Sequence, residues 1–130
     1  MNTRMATYSD IDTLIKVRFD YFAAEQWELS NDNRDLISSQ LQQFYSKHLN
    51  LDFFAAFVED DTGNVVSTAF LEIFEKPANL LWPTGKTGMI LNVLTYPEYR
   101  RMGHATNTMN LLIEKAKQQN LSYVELSASD

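Results

Sequence analysis

The chain has 130 residues, no cysteine and a formal net charge of −6. That length makes one domain with room for a real core. The missing cysteines exclude disulfides, thiolate metal ligands and a cysteine-bound acyl intermediate, and the acidic balance excludes the basic footprint that nucleic-acid binding needs.

No apolar run is long enough to span a bilayer, and the opening "MNTRMATYSD" lacks the apolar centre of a signal peptide. A cytoplasmic protein with no membrane or nucleic-acid partner is expected. His48 and His104 stand far apart in the sequence, so no metal site is expected.

In chain order, "RMAT" reads as a short first strand. Ser9 then has the character of a helix cap, with Asp12 three residues on. Ile11, Leu14, Ile15 and Phe22 follow on one helical face, which Arg18 interrupts. Polar "LSNDNRD" breaks the pattern. A second helix carries Ile37, Leu41, Phe44, Tyr45 and His48 at helical spacing, with His48 read as a partly buried core residue.

The period then changes. "FFAAFVED" and "VVSTAFLEIFE" read as two strands joined by the turn "DTGN", an antiparallel hairpin with Gly63 supplying the permissive backbone. "KPANLLWPTGKTG" reads as a loop. Its Leu80, Leu81 and Trp82 are too apolar for full solvation and are expected to cover an edge of the core rather than line a pocket. "MILNVLT" is apolar on both faces but for Asn92, as suits a central strand covered on both sides. Ala105, Met109, Leu112, Ile113 and Ala116 form a helix stripe. "QQN" ends that helix, and "LSYVELSAS" is the last strand. The order predicts an α/β fold: a mixed central sheet of about five strands flanked by helices. Its strands centre on Met5, Phe57, Phe70, Leu91 and Val124, the last two parallel through a right-handed crossover.

Between the Leu91 strand and its helix lies "YPEYRRMGHATNT". The carboxyl end of a strand meeting the amino end of a helix is where open α/β sheets bind ligands. The first N–H groups of the helix lack internal partners and favour an anion. Gly103 puts no side chain in the way, Ala105 keeps the next turn small, and Arg100 and Arg101 add permanent charge. These are the parts of a pyrophosphate cradle. A glycine serving only a tight turn beside solvated arginines is the plain alternative.

Here the chain resembles the GNAT N-acetyltransferase superfamily, whose signature Q/R-x-x-G-x-G/A is matched by Arg100, Gly103 and Ala105. "MATYSDIDTLIKVR" looks like that family's first strand and helix, and the hairpin and "EKPANLLWPTGKTGMILNVLT" fit its middle. The resemblance implies acetyl-CoA as cosubstrate. Val93, Leu94 and Thr95 would line the pantetheine arm, and Arg100, Arg101, Met102, Gly103, His104, Ala105 and Thr106 would wrap the pyrophosphate. It also implies a β-bulge in the fourth strand, for which Asn92 is the candidate.

The implied reaction is direct acetyl transfer to a primary amine on a small molecule or peptide. Glu72 and Asn92 are the candidate catalytic residues. Glu72 interrupts "AFLEIF", although strand alternation alone would turn it to solvent. A backbone N–H of Val93 or Leu94 is the candidate oxyanion donor. Glu25, Glu28 and Asp32 offer carboxylates to a cationic acceptor, or simply belong to a solvated linker. The alternatives are a non-catalytic acetyl-CoA-binding module and a protein-interaction domain of the same fold. Against the family pattern, residues 1–130 read as a single domain truncated at the C-terminus. The general acid is therefore not assignable, and the exposed sheet edge invites a homodimer.

Overall fold

The computed structural model describes residues 1–127. Five strands form one sheet in the order β1-β2-β3-β4-β5: Asn2–Met5, Phe53–Glu59, Val65–Glu75, Lys86–Thr95 and Val124–Leu126. The first four are antiparallel neighbours, and β5 runs parallel to β4 with Gly88 opposite Val124. The sheet is mixed, as expected. Of the predicted last strand only Val124–Leu126 pairs as strand, and the rest of "SAS" after Ser127 lies outside the described residues.

Helices α1 (Ile11–Ala24) and α2 (Asn31–His48) cover one face of the sheet, and α3 (His104–Gln118) covers the other. Side chains of β2 alternate between the two cores. Phe53, Ala55 and Phe57 meet Leu14, Val17, Leu41 and Tyr45 from α1 and α2, while Phe54 and Ala56 meet Leu112 and Ala116 of α3. This strict alternation pins the register, because a one-residue slip would exchange the faces. Phe57, Phe70, Leu14 and Leu112 are fully buried. Each contributes about 1.5–3 kcal/mol by leaving water.

Several local expectations shift. Thr7, not Ser9, begins the first helical segment: a 3-10 turn over Tyr8–Asp10 leads into α1, and the Asp10 carboxylate accepts the Thr7 N–H at 2.7 Å. Val17 joins the buried face of α1. Helix α2 begins inside the polar stretch, where the Ser30 hydroxyl accepts the Asn33 N–H at 3.1 Å and so holds the first turn without apolar residues. The buried stripe of α3 is His104, Thr108, Leu112 and Ala116, while Ile113 is largely exposed. The helix is thus rotated from the purely apolar reading, because Thr108 donates back to the Ala105 carbonyl at 2.7 Å and can be buried.

Leu80 and Leu81 cover nothing: they are 99% and 75% exposed. The Asn79 side chain accepts the N–H groups of Leu81 and Trp82, a local turn that points the leucines outward. Trp82 alone is held back, with its indole N–H on the Pro77 carbonyl and its ring beside Lys76 and Tyr123.

Candidate active site

Strand β4 is irregular at Asn92. Thr68 of β3 faces Leu94 while Phe70 faces Leu91, so Asn92 and Val93 stand against Ala69 alone. This is a β-bulge, and the extra residue is accommodated at Asn92 with φ 54°. Asparagine tolerates that left-handed conformation better than most residues. The bulge falls where β5 leaves. Pairing with β5 covers Gly88 to Ile90 and ends with the Ser127 N–H on the Ile90 carbonyl at 2.8 Å. Beyond that point, among the described residues, no strand lies along the outer edge of β4, which leaves an opening there.

The opening leads to the amino end of α3. After β4, Pro97–Tyr99 forms a 3-10 turn, and the chain enters α3 through two left-handed residues, Arg101 at φ 64° and Gly103 at φ 82°. A Cβ built on Gly103 meets no protein atom within 4 Å, so the space in front of it is open and glycine is required by the backbone angle. The first intrahelical bond runs from the Asn107 N–H to the Gly103 carbonyl at 3.1 Å. The N–H groups of His104, Ala105 and Thr106 therefore have no helical acceptor.

These features border one cleft of about 550 Å³, lined by Val93, Leu94, Thr95, Arg100, Arg101, Gly103, His104, Ala105 and Thr106, together with Tyr21 and Ala24 of α1 and Glu25 just after it. Every residue expected to hold the cosubstrate is there except Met102, which is 60% exposed and outside the lining. Arg100 lies back along the strand, its Nε donating to the Thr95 carbonyl at 3.1 Å. The His104 ring is buried, and neither nitrogen has a partner among the described residues. Free helical N–H groups, an open glycine and permanent positive charge at one end of a cleft fit an elongated ligand with an anionic head.

Asn92 and Glu72 lie outside that cleft and border different pockets, with Arg18 common to both. Arg18 of α1 donates from Nη1 to Asn92 Oδ1 at 3.2 Å. It borders a recess beside Asn92 and a second pocket containing Glu72. The signal was present in the sequence: a charge in the middle of an apolar helical face needs a reason. Asn92 is 1% exposed and its Nδ2 has no partner among the described residues. An unmet buried donor costs about 1–3 kcal/mol.

Glu72 is half-buried rather than solvated. Burial raises its carboxyl above the ordinary range, opposed by the field of Arg18. Tyr45, on the same pocket, is buried and its phenol is likewise pushed up by burial. Of the linker carboxylates, Glu25 borders the main cleft, whereas Glu28 and Asp32 are exposed. No group of residues suited to a metal ion occurs among the described residues, and no helix among them is long and apolar enough to cross a membrane.

Residues 15–130 match the model of the Acetyltransferase (GNAT) family, and the chain belongs to that family. The fold recurs in many solved structures. A predicted acetyltransferase with acetyl-CoA from Clostridium acetobutylicum is 28% identical, with a TM-score of 0.88 over 99% of this chain and 81% of that one. A GCN5-related N-acetyltransferase from Ralstonia eutropha has a TM-score of 0.82 at 19% identity, covering 99% of this chain and 84% of that one. Glucosamine-6-phosphate N-acetyltransferase from Arabidopsis thaliana has a TM-score of 0.70 at 16% identity, with 99% and 84% covered. A search of curated proteins gave no significant match.

Proposed function

We propose that residues 1–130 form one acetyl-CoA-dependent N-acetyltransferase domain that moves an acetyl group onto a primary amine by direct attack. The observation that carries this reading is the meeting of the bulged edge of β4, unpaired among the described residues beyond Ile90, with the free N–H groups at the start of α3 along a single cleft. When bound, acetyl-CoA supplies the acetyl group as an activated thioester, whose C–S bond breaks as the C–N bond forms.

The residues divide the work by position. The N–H groups of His104, Ala105 and Thr106, with Arg100 and Arg101, bind the diphosphate. Val93, Leu94 and Thr95 offer the outer backbone edge of β4, free among the described residues, to the amide groups of the pantetheine arm. A backbone N–H of Val93 or Leu94 and the orphan Asn92 Nδ2 supply donors where negative charge develops on the carbonyl oxygen. Glu72 takes the proton from the incoming ammonium so that a neutral nitrogen attacks, and its half-buried setting makes it a stronger base than a solvated carboxylate. The recess beside Asn92 shares Tyr21 and Glu25 with the cosubstrate cleft and Arg18 and Leu91 with the Glu72 pocket, and reactants meeting through it react as if in one molecule.

The test pairs titration calorimetry with acetyl-CoA with a coenzyme A-release assay over a broad amine panel, each product identified by mass. Saturable binding with acetylated amine as product is the expected result. Binding without turnover on any amine would overturn the catalytic reading, and absence of binding would overturn the site.

A further inference from the structure

The pocket on the α1–α2 side of β3 has its own chemistry. It holds about 210 Å³ and is bordered by Arg18, Gln40, Phe44, Tyr45 and Glu72. Two opposite charges face it, yet no ion pair joins them among the described residues. Arg18 spends one N–H on Asn92 and lays its guanidinium over the Phe22 ring at 4.7 Å. Its other N–H donors have no side-chain or backbone acceptor among the described residues. Both contacts fix the planar fork in place, and a fork held with free donors suits an oxyanion. Glu72 lies on the strand floor of the same space. Separated, prearranged opposite charges over an aromatic wall match a ligand that brings the complementary pair itself.

We propose that the acceptor is a small zwitterion of amino-acid size, an amine whose anionic group pairs with Arg18 and whose nitrogen faces Glu72. Its apolar body lies against Phe44 and Tyr45. This inference rests on the acetyltransferase reading and narrows it: about 210 Å³ suits a group of amino-acid size. A carboxylate and a phosphate monoester would satisfy Arg18 by the same chemistry, so the probes must separate them.

The experiment uses protein saturated with coenzyme A and measures acceptor binding by calorimetry, apart from turnover. The probes are L-phenylalanine, L-phenylalanine amide, phenethylamine and glucosamine 6-phosphate. L-Phenylalanine should bind at least tenfold more tightly than its amide or phenethylamine. Tighter binding of glucosamine 6-phosphate instead would identify the anion as phosphate. Arg18→Met should abolish the preference for the anionic probe, while phenethylamine binding is kept or strengthened because a positive charge near its ammonium is gone. Arg18→Lys should restore part of it, and melting curves should show that both variants fold. Equal binding of L-phenylalanine, its amide and glucosamine 6-phosphate, or a preference that survives Arg18→Met, would overturn the zwitterion assignment. Coenzyme A release in the presence of any amine would then still support acetyl transfer, so the two claims fail separately.

Discussion

Arg18 Nη1 donates to Asn92 Oδ1 at 3.2 Å, across the gap between α1 and the bulge of β4. The bond fixes Asn92 so that its Nδ2, and not its carbonyl, is left to be satisfied. One helical arginine thus orients the residue that breaks the sheet.

The left-handed backbone at Asn92 separates two effects of mutation. Asn92→Gly keeps the φ of 54° at no steric cost. It should therefore melt close to the native protein but lose about 10²- to 10³-fold in kcat, the scale expected for removing an oxyanion donor. Asn92→Val adds backbone strain of about 1–3 kcal/mol and should also melt several degrees lower. Native activity in Asn92→Gly would show that the orphan amide plays no part.

At Gly103 the expected cost is split differently. Its Cβ would enter open space, so no protein atom resists a larger side chain, but φ 82° does. Gly103→Val should cost about 1–2 kcal/mol in strain, lowering Tm by about 3–8 °C. Acetyl-CoA affinity by calorimetry should fall at least tenfold, because the side chain would fill the space before the helix N-terminus. Normal affinity in a destabilised variant would place the diphosphate elsewhere.

How far the sequence reached is clearest at these two residues. Strand alternation, the turn at Gly63 and the break at "QQN" made the element order readable, because each is local. Asn92 could be flagged as a polar break in an apolar strand, and Gly103 as a glycine at a helix mouth, for the same reason. Arg18 could not be given its role, since its partner lies in β4 and only packing brings α1 there. The outward turn of Leu80 and Leu81 depends on the carbonyl of one asparagine side chain, a contact that hydrophobicity does not report. The face of α3 was misjudged because a buried threonine can satisfy itself on its own helix.

A prediction about stability concerns the other end of the sheet. Arg4 on β1 grips Asp10 at 2.7 Å and Glu59 of β2 at 2.7 Å. The arginine, chiefly by hydrogen bonding, holds both carboxyls below their ordinary values. A depressed carboxylate stabilises the fold above its unfolded pKa, and that contribution is lost as pH falls through the folded value. Arg4→Met should therefore lower stability by about 1–2 kcal/mol at pH 7. The difference should shrink steadily on acidification below the carboxylate range. Melting curves across pH check it, and a gap that does not change with pH would mean that Arg4 acts through packing alone. None of the three residues borders the cleft, so acetyl-CoA affinity should be unchanged.

Glu72 should show the opposite sign. Burial raises its carboxyl, so the folded state holds its proton more tightly than the unfolded chain does. The fold then loses stability as pH rises from the unfolded value through the folded one, and the loss stays at its full size above that. Glu72→Gln removes this penalty while nearly keeping shape. It should melt at least as high as the native protein at pH 7, and the advantage should vanish in acid, where both carboxyl states are protonated. Activity should move the other way. The native kcat/KM should fall with acid through the raised Glu72 value, because only the carboxylate can accept the amine proton. In Glu72→Gln the rate should drop about 10²- to 10⁴-fold, the usual scale for a lost general base. The acid limb assigned to this residue should disappear with it. A variant that is more stable, less active and without that limb would mark Glu72 as a residue kept at a cost to the fold. A variant of native rate with the limb intact would assign the base to another group.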